Sequence, residues 1–552
     1  MKDKFWILII IIALLRFINL GFGDINPWDE AMYAIRSKSI VAFGEWLDQT
    51  EYSVGGLYTS SHPPLFIWLT AIGFHLFGIS NVTVRLISAI FGALTVIIMY
   101  EFCKRLFERR TAIFAATILG LNPLFTHFCR QGQLDITYTF FITFSILSYL
   151  YYRQNQKNRW RLIAGISFGL ALMSKILVGF FVPMILAPYL LVLIIRNDEK
   201  ISDAISDLAI IFSIGILIAL PWHAFMTIKH GRAFIDYFFL FHLVKRSVAG
   251  VEENVRKLGA FYFVNQLLVR MPAALMSGIY AIFRSIRLKK SSQDKRKRIF
   301  LLIWFLVVFI VISAFKTKLI TYMIPALIPL SILAGITLSQ ISRSKINRKH
   351  TYALLLLTLL NIFWAMNYEL RQQAKSLIKS LLQFDFPSLN FLTPVIITIL
   401  SAFLILFLIQ ILQKRMPTSN ILGISFLIIV FSTLIISCTY YDFMFLPKEY
   451  DWGIEKIKEI FYEKDFKRLI AVGKYRNDQI PYYFDGAGID AWQAEVDYQR
   501  IEKWKGAPLS DDSLVIVEKF GFDEDILPYL RMNFCRIMEN HRYIVYAAHS
   551  RF

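Results

Sequence analysis

Charge is scarce in this chain, and so is cysteine. Only 18% of the 552 residues are Asp, Glu, Lys or Arg, against 56% hydrophobic and 16% aromatic; a soluble globular protein carries roughly 25% charged and 45–50% apolar residues. That shortfall excludes a disordered chain and an ordinary cytosolic enzyme. The four cysteines, Cys103, Cys129, Cys438 and Cys535, stand far apart with no C-x-x-C pair, which argues against a disulfide framework and a zinc site. No G-x-x-x-x-G-K-[ST] run and no G-x-G-x-x-G after a strand occurs, so nothing points to soluble nucleotide chemistry. No fixed-period repeat and no low-complexity segment is evident.

Acids are scarcest before residue 440. The chain carries +20 overall with a pI near 9.6, yet the stretch from Tyr440 to the end is −4 and the preceding 439 residues are +24. Such a balance would suit nucleic acid, but the basic residues form short clusters between apolar runs, the pattern that orients helices in a membrane. We therefore expect a polytopic α-helical membrane protein without a nucleic-acid partner, organised as a transmembrane domain over 1–439 and a small α/β domain over 440–552.

A membrane-crossing helix needs about 20 mostly apolar residues. Runs of this kind lie at 5–22 and near 82–103, 111–128, 135–152, 162–178, 179–195, 208–227, 272–286, 299–315, 319–338, 351–367, 391–412 and 421–439, about 13 transmembrane helices. The run Pro64–Gly78 has only about fifteen residues, too few to cross. Treating it as re-entrant or interfacial puts every dense basic cluster, including eight basic residues between Arg284 and Arg298, on one face, which the positive-inside rule makes cytoplasmic. The N-terminus is then cytoplasmic. The loops near 23–81, 228–271 and 368–390 and the C-terminal domain lie on the outer face. In that domain, 452–466 and 523–530 read as helices, and 469–472, 513–517 and 543–547 as strands.

The outer-face segments hold the chemistry. Asp29 and Glu30 are adjacent carboxylates just after the first span, suited to general-base or metal-binding work or simply to solvation. Asp135 opens a span, as catalyst or as a helix-capping acid. Lys175 stands between two apolar runs, where a charge is costly and by default functional unless it snorkels outward. His62 is pinned by two following prolines that remove N–H donors. His242 and Arg246 are four apart, on one helix face, and a guanidinium there suits phosphate as well as lipid headgroups. Lys318 and Tyr322 sit where Pro325 and Pro329 would loosen a helix.

Asp29-Glu30-Ala-x-Tyr, His62-Pro-Pro-Leu, Val84-Arg-Leu-Ile-Ser-Ala, Gln133-Leu-Asp135, Lys175, Pro221-Trp and Lys318-Leu-x-x-Tyr-x-Ile-Pro-x-x-Pro occur in this order. The set resembles the GT-C superfamily of membrane glycosyltransferases, in its bacterial branch related to protein O-mannosyltransferases, and within it the lipid A aminoarabinose transferases. The resemblance covers roughly residues 1–340 by motif and the rest by architecture. It implies transfer of a sugar from a polyprenyl (undecaprenyl) phosphate donor to a lipid A, glycan or protein acceptor at the periplasmic face of the inner membrane, with inversion.

It further implies that Asp29 and Asp135 are the catalytic acids and that His62, Lys175, Arg246, Lys318 and Tyr322 hold or surround the donor phosphate. Glu30 and His242 become candidate ligands of a divalent metal ion. The aminoarabinose enzymes carry Lys before Pro-Pro-Leu where this chain has His62. An imidazole titrates near neutral pH, so phosphate binding should weaken as pH rises. The competing class is a transporter or flippase of polyprenyl-linked sugars. It should place its charges near the midplane between repeats rather than at one face.

Overall fold

The structure is a computed structural model. It describes residues 5–343, apart from 27, 54–55, 246–258, 260 and much of 272–292, and then 453–472, 479–484, 513–519, 534–540 and 543–548. The segments near 351–367, 368–390, 391–412, 421–439 and 523–530, and Arg246, lie outside the described residues.

Fourteen residues separate the first helix from the second. Helix α1 (Phe5–Leu14) ends in a tight turn over Leu15–Phe17; α2 (Asp29–Phe43) begins on two acids, favourable at a helix N-terminus. A short α3 (Leu57–Ser60) leads to α4 (Leu65–Phe77) and then α5 (Asn81–Leu106), whose N-cap Ser80 accepts from the Thr83 N–H. The bundle continues with α6 (Arg109–Gly120), α7 (Pro123–Cys129), α8 (Leu134–Asn155) and α9 (Asn158–Ser174). Next come α10 (Ile176–Gly179), α11 (Phe181–Ile195), α12 (Ile201–His230) and α13 (Arg232–Ile235). A π-helical run (Asp236–Lys245), α14 (Tyr262–Arg270), α15 (Gln293–Ala314) and α16 (Ile324–Ser342) complete it.

Among the described residues, six helices have the length and apolarity of a span, or seven if α6 and α7 count as one. The expected run 111–128 is bent by 64° between those two, because Asn122 caps a new helix whose first residue is Pro123. The break leaves the Gly120 carbonyl open, and it accepts from Arg16 Nη2 at 2.8 Å and Thr126 Oγ1 at 3.2 Å. Helices α9 and α12 pack tightly because Gly169 lies against Ile218, where a Cβ would come within 2.7 Å of it; close helix approach over small residues drives association in lipid.

Ion pairs gather the basic clusters at one end of the bundle. Arg153 bridges Glu199 and Asp207, Arg161 reaches Asp207 at 3.0 Å, Arg296 reaches Asp198 at 2.6 Å and Arg343 reaches Glu108 at 2.6 Å. Asp135 and Arg153 lie near opposite ends of α8, roughly 27 Å apart at 1.5 Å rise per residue, so Asp135 belongs to the other end. Helix α4 stays at that end: it starts beside His62 and finishes at Gly78, whose carbonyl is held by Thr83 Oγ1 at 2.9 Å near the start of α5. The expected loop 23–81 is thus largely helical.

The C-terminal domain carries α17 (Ile454–Glu463), α18 (Gln479–Tyr483) and a four-stranded sheet of β1 (Arg468–Val472), β2 (Ser513–Glu518), β3 (Phe534–Glu539) and β4 (Tyr543–Ala548) in the order β1-β2-β4-β3. The β1–β2 pair is parallel, the others antiparallel. Three strands fall where the sequence pattern puts them. β3 does not alternate cleanly, since a register shift lies between Arg536 and Met538, and it escaped the sequence reading. The domain shares a core with α2: Ile454, Ile457 and Phe461 of α17 cluster with Ala31, Ala34 and Ile35. Lys38 Nζ donates to the Tyr482 carbonyl at 2.7 Å, and Tyr483 OH accepts from the Ile25 N–H at 2.9 Å.

Candidate active site

The helix break at residue 175 builds the site. Lys175 has extended backbone (φ −159°, ψ 106°) between α9 and α10, so the chain turns without a hairpin loop and the side chain leaves the helix end. Its Nζ lies 4.0 Å from Asp135 Oδ1 in the first turn of α8. The ammonium also sits 5.6 Å from the Tyr138 ring centroid and 5.3 Å from that of Tyr322, and such ring faces attract cations. Tyr138 OH, three residues beyond Asp135, donates to Asp135 Oδ1 at 2.8 Å and fixes that carboxylate.

Lys175, His62, His242 and Tyr322 line one cavity of about 240 Å³ whose remaining wall is mostly apolar, including Ile176, Phe181, Met184, Phe238 and Ile312. Met184 of α11, one of the lining residues, is 42% exposed, so the cavity reaches the surface of the bundle there. A hydrocarbon chain could enter there while its polar end meets Lys175. The His62 and His242 rings are 4.3 Å apart at 78°. His242 Nε2 pairs with the Tyr58 carbonyl at 2.9 Å. Arg36, buried in α2, donates to the carbonyls of Thr59 at 3.0 Å and His62 at 3.2 Å, which fixes the turn before the two prolines.

The other expected residues fall as follows. Asp29 is half-buried at the start of α2, one turn from Tyr33, whose ring is 6.3 Å from that of His62. Lys318 does not reach the cavity wall. It is buried, and its amine donates to the carbonyls of Ser313 at 2.7 Å and Phe315 at 2.9 Å at the end of α15. Glu30 and His242 do not form a ligand set. Glu30 is fully buried, with Oε1 taken by Arg85 at 2.9 Å and by the Gly132 N–H at 2.7 Å, and Oε2 by the Asn26 N–H at 2.7 Å. Among the described residues no group of three His, Cys, Asp or Glu side chains could hold a metal. The sequence reading passed over Arg36 and Tyr138, and it took Arg85 only as part of the motif beginning at Val84, without a role of its own.

Residues 61–224 match the family profile described as dolichyl-phosphate-mannose-protein mannosyltransferase. An uncharacterized protein of Aquifex aeolicus is 25% identical over 63% of this chain and 66% of its own length. The undecaprenyl phosphate-alpha-4-amino-4-deoxy-L-arabinose arabinosyl transferase 2 of Pseudomonas fluorescens is 27% identical over 59% of this chain and 55% of its own length. The match thus spans less than two thirds of either relative. By fold, the chain resembles ArnT of Cupriavidus metallidurans, crystallised with undecaprenyl phosphate, at a TM-score of 0.67 and 16% identity over 99% of this chain and 98% of that one. The chain is thus a multi-pass membrane protein that shares the ArnT fold along its whole length and is similar in sequence, over its first three fifths, to aminoarabinose transferases and, over residues 61–224, to the protein mannosyltransferase profile.

Proposed function

We propose that the protein is an inner-membrane glycosyltransferase that moves a sugar from a polyprenyl phosphate donor to an acceptor at the periplasmic surface, lipid A being the acceptor nearest its relatives. The observation that carries this reading is the approach of Lys175 to Asp135 at 4.0 Å beside a mostly apolar cavity. The lipid tail occupies the cavity, and Lys175, with His62 and Tyr322, neutralises the phosphate as it leaves, an electrostatic stabilisation of developing charge. Arg246 joins them on sequence grounds. The bond between the anomeric carbon and the phosphate oxygen breaks while the acceptor oxygen attacks from the opposite side. Asp29 takes the proton of a hydroxyl acceptor; an ionised phosphate acceptor has none to give, and Asp29 then orients it. Asp135 holds Lys175 in place.

The basic end of the bundle faces the cytoplasm on this reading, and the C-terminal domain lies in the periplasm. The test is transfer of radiolabelled sugar from synthetic polyprenyl-phosphate donors to lipid and glycan acceptors in detergent. Wild type should transfer and Asp29→Asn should not. Equal transfer by Asp29→Asn removes its catalytic role, and movement of intact donor across vesicles without transfer replaces the reading with the transporter one. Added EDTA tests for a divalent ion; the residues around Glu30 do not fit one, and we route no step through it.

A further inference from the structure

Asp29 opens α2 and Asp135 opens α8, and neither helix's length is packed on the other's. Glu30 joins the two starting points. Its carboxylate accepts from the Gly132 N–H at 2.7 Å in the turn that leads into α8, and from the Asn26 N–H at 2.7 Å in the turn that leads into α2. The same carboxylate pairs with Arg85 of α5, through Nε at 2.9 Å and Nη2 at 3.5 Å. The remaining guanidinium N–H groups bind the carbonyls of Leu20 at 3.1 Å, Phe22 at 2.7 Å and Asp24 at 2.8 Å, so the rigid fork of Arg85 orders the whole connection between α1 and α2. Gly132 is sterically required: a Cβ there would come 2.5 Å from Val84 Cγ1 and 2.9 Å from the Val84 carbonyl oxygen.

We propose that Glu30 and Arg85 are positioning residues for the transfer reaction, a buried ion pair that sets the place of Asp29 relative to Asp135 through the Gly132 amide. The proposal rests on the glycosyltransferase reading above and assigns Glu30 a role other than metal binding. A buried pair of this kind is a poor source of stability but a strong constraint on geometry, because either charge alone would be left uncompensated. Asp29 stands apart from the phosphate-holding group of Lys175, His62 and Tyr322, whereas Asp135 contacts Lys175 at 4.0 Å, so loss of the pair should lower turnover most and weaken donor capture to a smaller degree.

Two variants test it on the full-length protein. Glu30→Gln keeps the shape and removes the charge; Gly132→Ala displaces the turn and leaves both charges intact. Each should lower kcat by about 100-fold, as expected for a small misplacement of reacting groups, with a rise in donor KM of about tenfold or less. Hydrogen–deuterium exchange should quicken over 24–35 and 130–137 and stay unchanged over 176–195. The proposal is overturned by unchanged exchange over 130–137 in Glu30→Gln, by kcat within twofold of wild type in both variants, or by a donor KM that rises as much as kcat falls. EDTA reproducing the Glu30→Gln defect in wild type, reversed by added Mg²⁺ or Mn²⁺, would make Glu30 a metal ligand and overturn it too. If wild type transfers no sugar at all, the functional reading fails separately, and the exchange data alone decide whether the clasp joins the two helix starts.

Discussion

Two lysines look equivalent in sequence and should behave differently when each is replaced by methionine. Lys175→Met removes the ammonium 4.0 Å from Asp135 Oδ1. A unit charge pair at that distance is worth about 4 kcal/mol at an effective dielectric constant of 20. A donor phosphate cannot collect all of it, because Asp135 competes for the same ammonium and the lysine side chain is 18% exposed. The net worth of one charge-assisted hydrogen bond, about 1.5–3 kcal/mol, is the better measure. At about 1.4 kcal/mol per factor of ten, the donor KM should rise roughly 10- to 150-fold. Lys318→Met instead strips two carbonyls at the end of α15 of their donor. It should lower the thermal midpoint and leave the donor KM within about threefold. The assay is initial-rate sugar transfer against donor concentration in detergent, with thermal unfolding of each variant alongside. A Lys318→Met shift as large as that of Lys175→Met, or an unchanged KM in Lys175→Met, would refute the assignment of Lys175 as the phosphate cation.

Further outcomes are expected at three places. Burial alone would raise the pKa of Asp48, but hydrogen bonds from Lys229, Thr50 and His230 outweigh it and hold the carboxyl at about 2, below its usual 3.8. Its contribution is therefore complete above pH 4 and is lost as pH falls towards 2. Asp48→Asn should cost roughly 1 kcal/mol at neutral pH, a modest sum because Lys229 is half exposed, and its thermal midpoint should converge on that of wild type in acid; a constant gap would contradict the pairing. His62→Ala should raise the donor KM, since it removes a polar ring from the cavity wall that Lys175 shares; an unchanged donor KM would exclude His62 from the phosphate site. Lys38→Met combined with Tyr483→Phe removes the bonds to Tyr482, Ile25 and Asn81. Limited proteolysis should then release the C-terminal domain faster, and identical cleavage rates would argue that apolar packing alone docks it.

The sequence by itself determined the class of the molecule, because hydrophobic length and the sidedness of basic clusters are local quantities that lipid reads directly. It also located the break at Lys175 and the short helix after His62-Pro-Pro, since a charge amid apolar runs and a run too short to cross are visible without neighbours. Three of the four strands were legible for the same reason; β3 was not, because its register shift blurs the period-2 pattern. Partnership was decided only in three dimensions. Lys175 and Lys318 carry the same charge beside similar spans, yet one meets Asp135 across the bundle and the other folds back on its own helix end. Glu30, adjacent to Asp29, points the other way by one helical position and is consumed by Arg85 and Gly132. Burial forces each ionic group to find whichever partner the packing brings within reach, and that reach is a property of helix crossings that no single stretch of sequence contains.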